Sequence, residues 1–195
     1  MAKTVEFLFD VVSPTAYLAW TALDGLKART GAEIVMTPIL LGGLFKASGN
    51  ASPVETPAKS AYIMADCVRV ANKRAVPFNP NPHFPLNTMM VMRAIVGAAR
   101  AGDPGPLIAA AFKAMWVDQA KLDDPNALEQ LAETIGVRVG TLAGWIGDDS
   151  VKAELRHNTD EAARRGAFGA PTCFVGGDMF FGQDRMEWVE EAAAN

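Results

Sequence analysis

Thr4-Val5-Glu6-Phe7-Leu8-Phe9-Asp10-Val11-Val12-Ser13-Pro14-Thr15-Ala16 is the junction on which the reading of this chain turns. Residues Thr4 to Phe9 are rich in valine and phenylalanine and predict a strand. Ser13-Pro14 is a helix opening, with serine at the N-cap and proline just inside. Ala16, Ala19, Trp20, Leu23 and Leu26 then recur on one face at helical spacing, so the helix should run to about Arg29, where Gly31 stops it. Glu33 to Pro38, with Ile34 and Val35, predicts a second strand. A strand, a helix and a strand in this order favour a parallel pair joined by a right-handed crossover.

Outward from that start the pattern changes. Leu41 to Asn50 is glycine-rich and reads as a loop, and Pro53 and Pro57 delay the next helix, expected over Lys59 to Arg74. The run from Pro77 to Pro85 holds too many prolines for a helix or a central strand. Helical patterns resume over Asn87–Arg100, Pro106–Val117, Pro125–Ile135, Thr141–Ile146 and Ser150–Arg165. Thr172 to Val175 and Met179 to Phe181 predict strands around a Gly176-Gly177-Asp178 turn, and a last helix should begin near Asp184. The expected class is α/β: a thioredoxin-like fold with an inserted all-helical domain. Residues 1–60 and 150–195 would form the discontinuous thioredoxin-like part and residues 61–149 the insertion.

The 195 residues are half hydrophobic and carry a net charge of −4, with no basic stripe, which argues against a nucleic-acid partner. No apolar run approaches the roughly 18 residues that span a bilayer. Met1 to Asp10, interrupted by Glu6, is a poor secretory signal, so a soluble cytoplasmic protein without membrane attachment is expected. Cys67 and Cys173 are far apart, which leaves no disulfide framework and no metal site of zinc-like spacing. Buried, inert thiols are the expectation for both.

In a thioredoxin fold the nucleophilic cysteine sits where the first strand hands over to the first helix, whose exposed amides and dipole favour a thiolate. Here the four positions Ser13 to Ala16 hold no cysteine. Dithiol exchange is thereby excluded at this place, and thiol chemistry requires a borrowed thiol. Ser13 either caps the helix only or also donates to such a sulfur. A free thiol of pKa about 8.5 is only about 3% ionised at pH 7, and lowering it by two units takes about 2.7 kcal/mol. A hydrogen bond to a charged group is worth about 1.5–3 kcal/mol and a helix N-terminus about 0.3–1 kcal/mol, which together suffice. The gain in thiolate is about 30-fold at most, so the rest of any catalysis must come from placing the substrate. Neither His83 nor His157 sits in a triad context that would make the serine a nucleophile.

Phe9 to Ala19, Leu41-Gly42-Gly43-Leu44-Phe45-Lys46 with Gly49-Asn50, Pro77-Phe78, Phe84-Pro85-Leu86-Asn87, Gly166 to Thr172 and Phe181-Gly182-Gln183-Asp184-Arg185 occur in order along nearly the whole chain. This ordered set resembles the 2-hydroxychromene-2-carboxylate isomerases and kappa-class glutathione transferases. The resemblance implies a thioredoxin domain with a helical insertion, a homodimer, and bound glutathione. It implies that Ser13 contacts the glutathione sulfur and that Lys46, Asn50, Asn87, Gln183 and Arg185 line the ligand site. It further implies that Ala170 precedes a cis Pro171 and offers backbone groups to the ligand. Asp184 would bind the γ-glutamyl ammonium, although Asp184-Arg185-Met186-Glu187 also has the form of a capping box. The chain departs from the family's usual aromatic and serine at Thr15 and Ala16, and from its usual valine at Ala170.

Met89, Met90 and Met92 read as core fillers, and Trp116 and Trp145 as packing residues. Trp116, Tyr17 and Tyr62 have pocket-lining as their alternative. His83 reads as exposed, and Glu187, Glu190 and Glu191 as a solvated helix face. The leading functional expectation is a glutathione-dependent cis–trans isomerase acting on a small aromatic carboxylate, with Lys46 or Arg185 pairing with the carboxylate. A kappa-like transferase or peroxidase and a non-catalytic glutathione-binding protein are the alternatives.

Overall fold

A computed structural model describes residues 3–194; Met1 and Ala2 of the leader reading and Asn195 of the domain bounds lie outside them. Strand β1 (Thr4–Phe9) leads into helix α1 (Pro14–Thr30), which returns to β2 (Glu33–Pro38). β1 and β2 pair in parallel with Phe7 opposite Met36. Gly31 ends α1 in the left-handed region at φ 70°, where its amide closes on Lys27 O. The chain comes back to the sheet only at β3 (Thr172–Val175) and β4 (Asp178–Phe181). The four-stranded sheet has the order β2-β1-β3-β4, and β1–β3 and β3–β4 are antiparallel. β1 thus lies inside the sheet, and its residues Val5 and Phe7 to Phe9 are buried, as a central strand requires.

Between the two halves run α2 (Leu41–Ser48), α3 (Pro57–Arg74), α4 (Met89–Ala101), α5 (Gly105–Trp116), α6 (Pro125–Thr134), α7 (Val139–Gly147) and α8 (Asp149–Arg164). A 3-10 turn at Gln183–Arg185 and helix α9 (Met186–Ala194) follow β4. Pro57 and Pro125 occupy first helical positions, where a missing amide costs nothing.

Leu41–Ser48 is a helix, correcting the loop expected there. Its glycines read as breakers, but Gly43 is where α2 meets α8: a Cβ at this position would lie 3.2 Å from Thr159 Cγ2. The second reason is distant in sequence. The Leu41 amide donates to Asp10 Oδ2 at 2.9 Å, so the residue just after β1 supplies the acceptor that the start of α2 lacks locally. Gly49 then closes α2 at φ 70°.

The proline-rich run is irregular, as expected, yet firmly packed. Tyr17 Oη donates to Pro77 O at 2.6 Å, the Asn79 amide to Trp116 O at 2.7 Å, and Asn81 Nδ2 to Met115 O at 2.9 Å. Phe78 stacks on Trp116 with centroids 5.5 Å apart, and Tyr17 and Trp20 both meet Phe112. Trp116 is fully buried and donates from Nε1 to Val11 O at 2.8 Å, so it is a packing residue and not a pocket wall. One core runs from Phe7, Phe9 and α1 through α4 and α5 to α8. No helix among the described residues is long and apolar enough to cross a membrane.

Candidate functional site

Ser13 is the N-cap of α1, with its backbone extended at φ −82° and ψ 117°. Its Oγ accepts from the Ala16 amide at 3.1 Å and donates to Ala170 O at 2.9 Å. Thr15 Oγ1 lies 3.0 Å from Ser13 Oγ and donates to the same Ala170 O at 3.2 Å. The Ala170–Pro171 peptide is cis, as the resemblance implied, and Phe84–Pro85 is cis as well. Two loops therefore meet: the strand-to-helix turn carrying Ser13 and the turn before β3 carrying Ala170 and Pro171. Ser13 caps the helix and also has its proton engaged, a combination that the two sequence alternatives did not contain.

Asp10 organises this junction, and nothing in its immediate sequence marks that role beyond a charge ending an apolar strand. It is buried to 1% exposure. Oδ1 accepts from the Val12 amide at 3.1 Å and from Thr88 Oγ1 at 2.7 Å, while Oδ2 takes the Leu41 amide. Its backbone carbonyl accepts from the Ser13 amide at 3.0 Å. One carboxylate thus binds the ends of β1, α2 and α4 around the start of α1. Burial pushes its pKa above the ordinary carboxylate range, and the bonds from Leu41, Thr88 and Val12 pull the other way.

Of the remaining candidates, Asn50 and the Gln183–Arg185 turn are tied to the Ala170–Pro171 segment. Asn50 Nδ2 donates to Phe168 O at 2.8 Å, and Asn50 Oδ1 accepts from the Ala51 amide, which ties the end of α2 to the turn before Ala170. Lys46 is exposed in the last turn of α2. Asn87 is exposed, and its Oδ1 accepts from the Met89 amide at the start of α4, next to Thr88. The Gly182 amide donates to Pro171 O at 3.0 Å and brings Gln183, Asp184 and Arg185 beside the cis proline. Gly182 has φ 102°, and a Cβ there would lie 2.5 Å from Asp184 Oδ1, so only glycine fits.

Asp184 does not act as the cap of a capping box. A 3-10 turn precedes α9, which begins at Met186, and the Asp184 carboxylate accepts from Arg185 Nη1 at 2.6 Å. Arg185 also lies over the Trp188 ring, 4.6 Å from its centroid. Gln183 is 9% exposed, and its Oε1 has no hydrogen-bond partner among the described residues. Its backbone carbonyl accepts from Arg74 Nη2 at 3.2 Å, and Arg74 Nη1 reaches Leu18 O in α1 at the same distance. Cys67 and Cys173 are buried, and burial pushes both thiols up to about 12. His83 and Tyr62 are exposed, and Glu190, read as part of a solvated face, pairs with Arg29 at 2.6 Å.

A profile of the DSBA-like thioredoxin domain matches residues 4–194. The chain belongs to the DSBA-like thioredoxin family. Within that family it is 32% identical over 192 residues to a 2-hydroxychromene-2-carboxylate isomerase of Sphingobium xenophagum, covering 97% of each chain. It is 28% identical over 205 residues to human glutathione S-transferase kappa 1, covering 96% of this chain and 89% of the relative. Among solved structures, a 2-hydroxychromene-2-carboxylate isomerase superposes with a TM-score of 0.86 at 25% identity, over 97% of this chain and 93% of the other. This member of the DSBA-like family thus stands with the isomerase and kappa-class group that the ordered motifs resembled.

Proposed function

We propose that this chain is a glutathione-dependent isomerase of the 2-hydroxychromene-2-carboxylate type, with the Ser13 hydroxyl at the sulfur of the bound tripeptide. The observation that carries the reading is the placement of Ser13 Oγ. It sits at the amide-rich start of α1, 2.9 Å from Ala170 O on the cis-proline turn, with no cysteine of the chain beside it. Glutathione, when bound, supplies a sulfur nucleophile able to add to a conjugated 2-oxo or 2-hydroxy carboxylate and leave again after a bond has rotated.

The chain's own part is to hold and ionise. Ser13 Oγ–H and the first amides of α1 favour the anionic over the protonated sulfur. Ala170 and Pro171 offer the turn along which a peptide-like ligand lies. Lys46, Asn50, Asn87, Gln183, Asp184 and Arg185 line the rest of the site. The residues present fit such a ligand: Gln183 Oε1 is a buried acceptor without a partner in the segment assigned to the tripeptide, and a ligand amine or amide would satisfy it. Lys46 or Arg185 receives the substrate carboxylate in this reading, and the working unit is a homodimer, to be checked by sedimentation.

The test is turnover of hydroxychromene carboxylate with and without glutathione, for wild type and Ser13→Ala. Catalytic, unconsumed glutathione and a severe loss in the alanine variant are expected; glutathione consumed one for one would overturn the isomerase. The similarity to human kappa 1 along 96% of the chain favours one second reading, a kappa-like transferase. A lasting conjugate with an electrophilic aryl halide would select it.

A further inference from the structure

Three oxygens crowd the start of α1, and their protons do not stretch to every role. Ser13 Oγ has a single proton, here given to Ala170 O at 2.9 Å, and it also accepts from the Ala16 amide. A hydroxyl so engaged has nothing left to donate to a sulfur. Turning it toward a ligand would strip a buried carbonyl, on a residue 7% exposed, of a donor. Thr15 answers the difficulty, because its Oγ1 already reaches Ala170 O at 3.2 Å and Ser13 Oγ at 3.0 Å.

We infer that Thr15 is a positioning residue that releases Ser13 for the bound thiolate by taking over the Ala170 carbonyl. This rests on the glutathione reading above. Before ligand arrives, both hydroxyls share the carbonyl. When sulfur occupies the helix start, Ser13 Oγ–H swings to it, and Thr15 Oγ1–H keeps Ala170 O satisfied. No covalent bond of the chain changes: one hydrogen bond is redirected, and the thiol proton leaves to solvent. Thr15 never touches the reacting atoms. Its effect is on how readily the sulfur ionises, not on whether the tripeptide binds.

The experiment follows the ultraviolet thiolate absorbance of bound glutathione against pH, in full-length wild type, Thr15→Val, Thr15→Ser and Ser13→Ala. Glutathione affinity is measured in parallel by calorimetry at acidic pH, where the thiol is protonated. Thr15→Val is expected to raise the bound-thiol midpoint by about one unit, which is an about tenfold lower ratio of thiolate to thiol at a given pH. Its affinity at acidic pH should stay within about twofold of wild type, and Thr15→Ser should titrate like wild type. Should the valine variant not fold, Thr15→Ala makes the same comparison. A lowered wild-type midpoint with Thr15→Val unmoved overturns this inference alone, as does a variant that loses affinity at acidic pH. A wild-type midpoint equal to that of free glutathione overturns both this inference and the function on which it rests.

Discussion

Ser13 caps the helix and, in the proposed function, also meets the ligand's sulfur with the same oxygen, so its removal should show in two separate measurements. In Ser13→Ala the Ala16 amide loses its cap, and unfolding stability should fall by about 1 kcal/mol. The thiolate signal of bound glutathione should fall far more steeply, by tenfold or beyond. A variant that loses stability but keeps the thiolate would reduce Ser13 to a cap. Asp10 gives a prediction with a pH dependence. Asp10→Asn places an amide NH2 donor where another donor now points, so stability at neutral pH should fall by about 1–3 kcal/mol in denaturant melts. The folded-state pKa of Asp10 is raised, so as pH falls toward it the native chain takes up a proton that the unfolded chain, near 3.8, still lacks. Acidification through that window therefore stabilises wild type relative to Asp10→Asn, and the gap should widen. Cys67 and Cys173, both held up to about 12, should ignore thiol reagents at neutral pH until the chain is unfolded.

Among the elements, α4 and α7 cross where Gly97 faces Trp145, and a Cβ at Gly97 would overlap the tryptophan side chain. Gly97→Ala should therefore cost about 1–3 kcal/mol by overpacking despite alanine's better helix propensity, read as a Tm lower by several degrees. The same kind of close approach explains which elements could be read in advance. β1, α1, β2, β3 and β4 announce themselves through valine and phenylalanine runs and through the Ser13-Pro14 opening, all local signals. α2 does not, because its Gly43 answers to Thr159 on α8 and its start is completed by Asp10, just beyond β1. The site divides in the same way. Ser13, Ala170 and Pro171 lie in recognisable motifs, whereas Asp10 joins the site through bonds to Leu41 and Thr88, residues 31 and 78 positions away. In the Asp184 pattern the carboxylate pairs with the neighbouring Arg185.

At the scale of the molecule, the candidate site is built from β1–α1, the end of α2, the start of α4 and the β3–β4 unit, so a ligand there clamps segments from across the chain. Saturating glutathione should raise the melting temperature of wild type, with a stabilisation of about 2.7 kcal/mol at a hundredfold excess over Kd. Ser13→Ala should show a smaller rise at neutral pH, and oxidised glutathione, which has no free sulfur to ionise, should protect both proteins alike. Arg74 joins the distant parts without ligand, since its guanidinium reaches both Leu18 O and Gln183 O.

The antiparallel pairing of β1 with β3 sets Val5 against Val175, about 170 positions later in synthesis. At about 5–20 residues per second, a ribosome takes on the order of ten seconds or more to make what lies between. Throughout that interval the apolar Phe7, Leu8 and Phe9 can close only on the parallel side, against β2, with the other edge open. The nascent chain thus carries an unpaired strand edge while the intervening residues are made, and a chaperone that shields β1 and β2 would act at the point of greatest exposure.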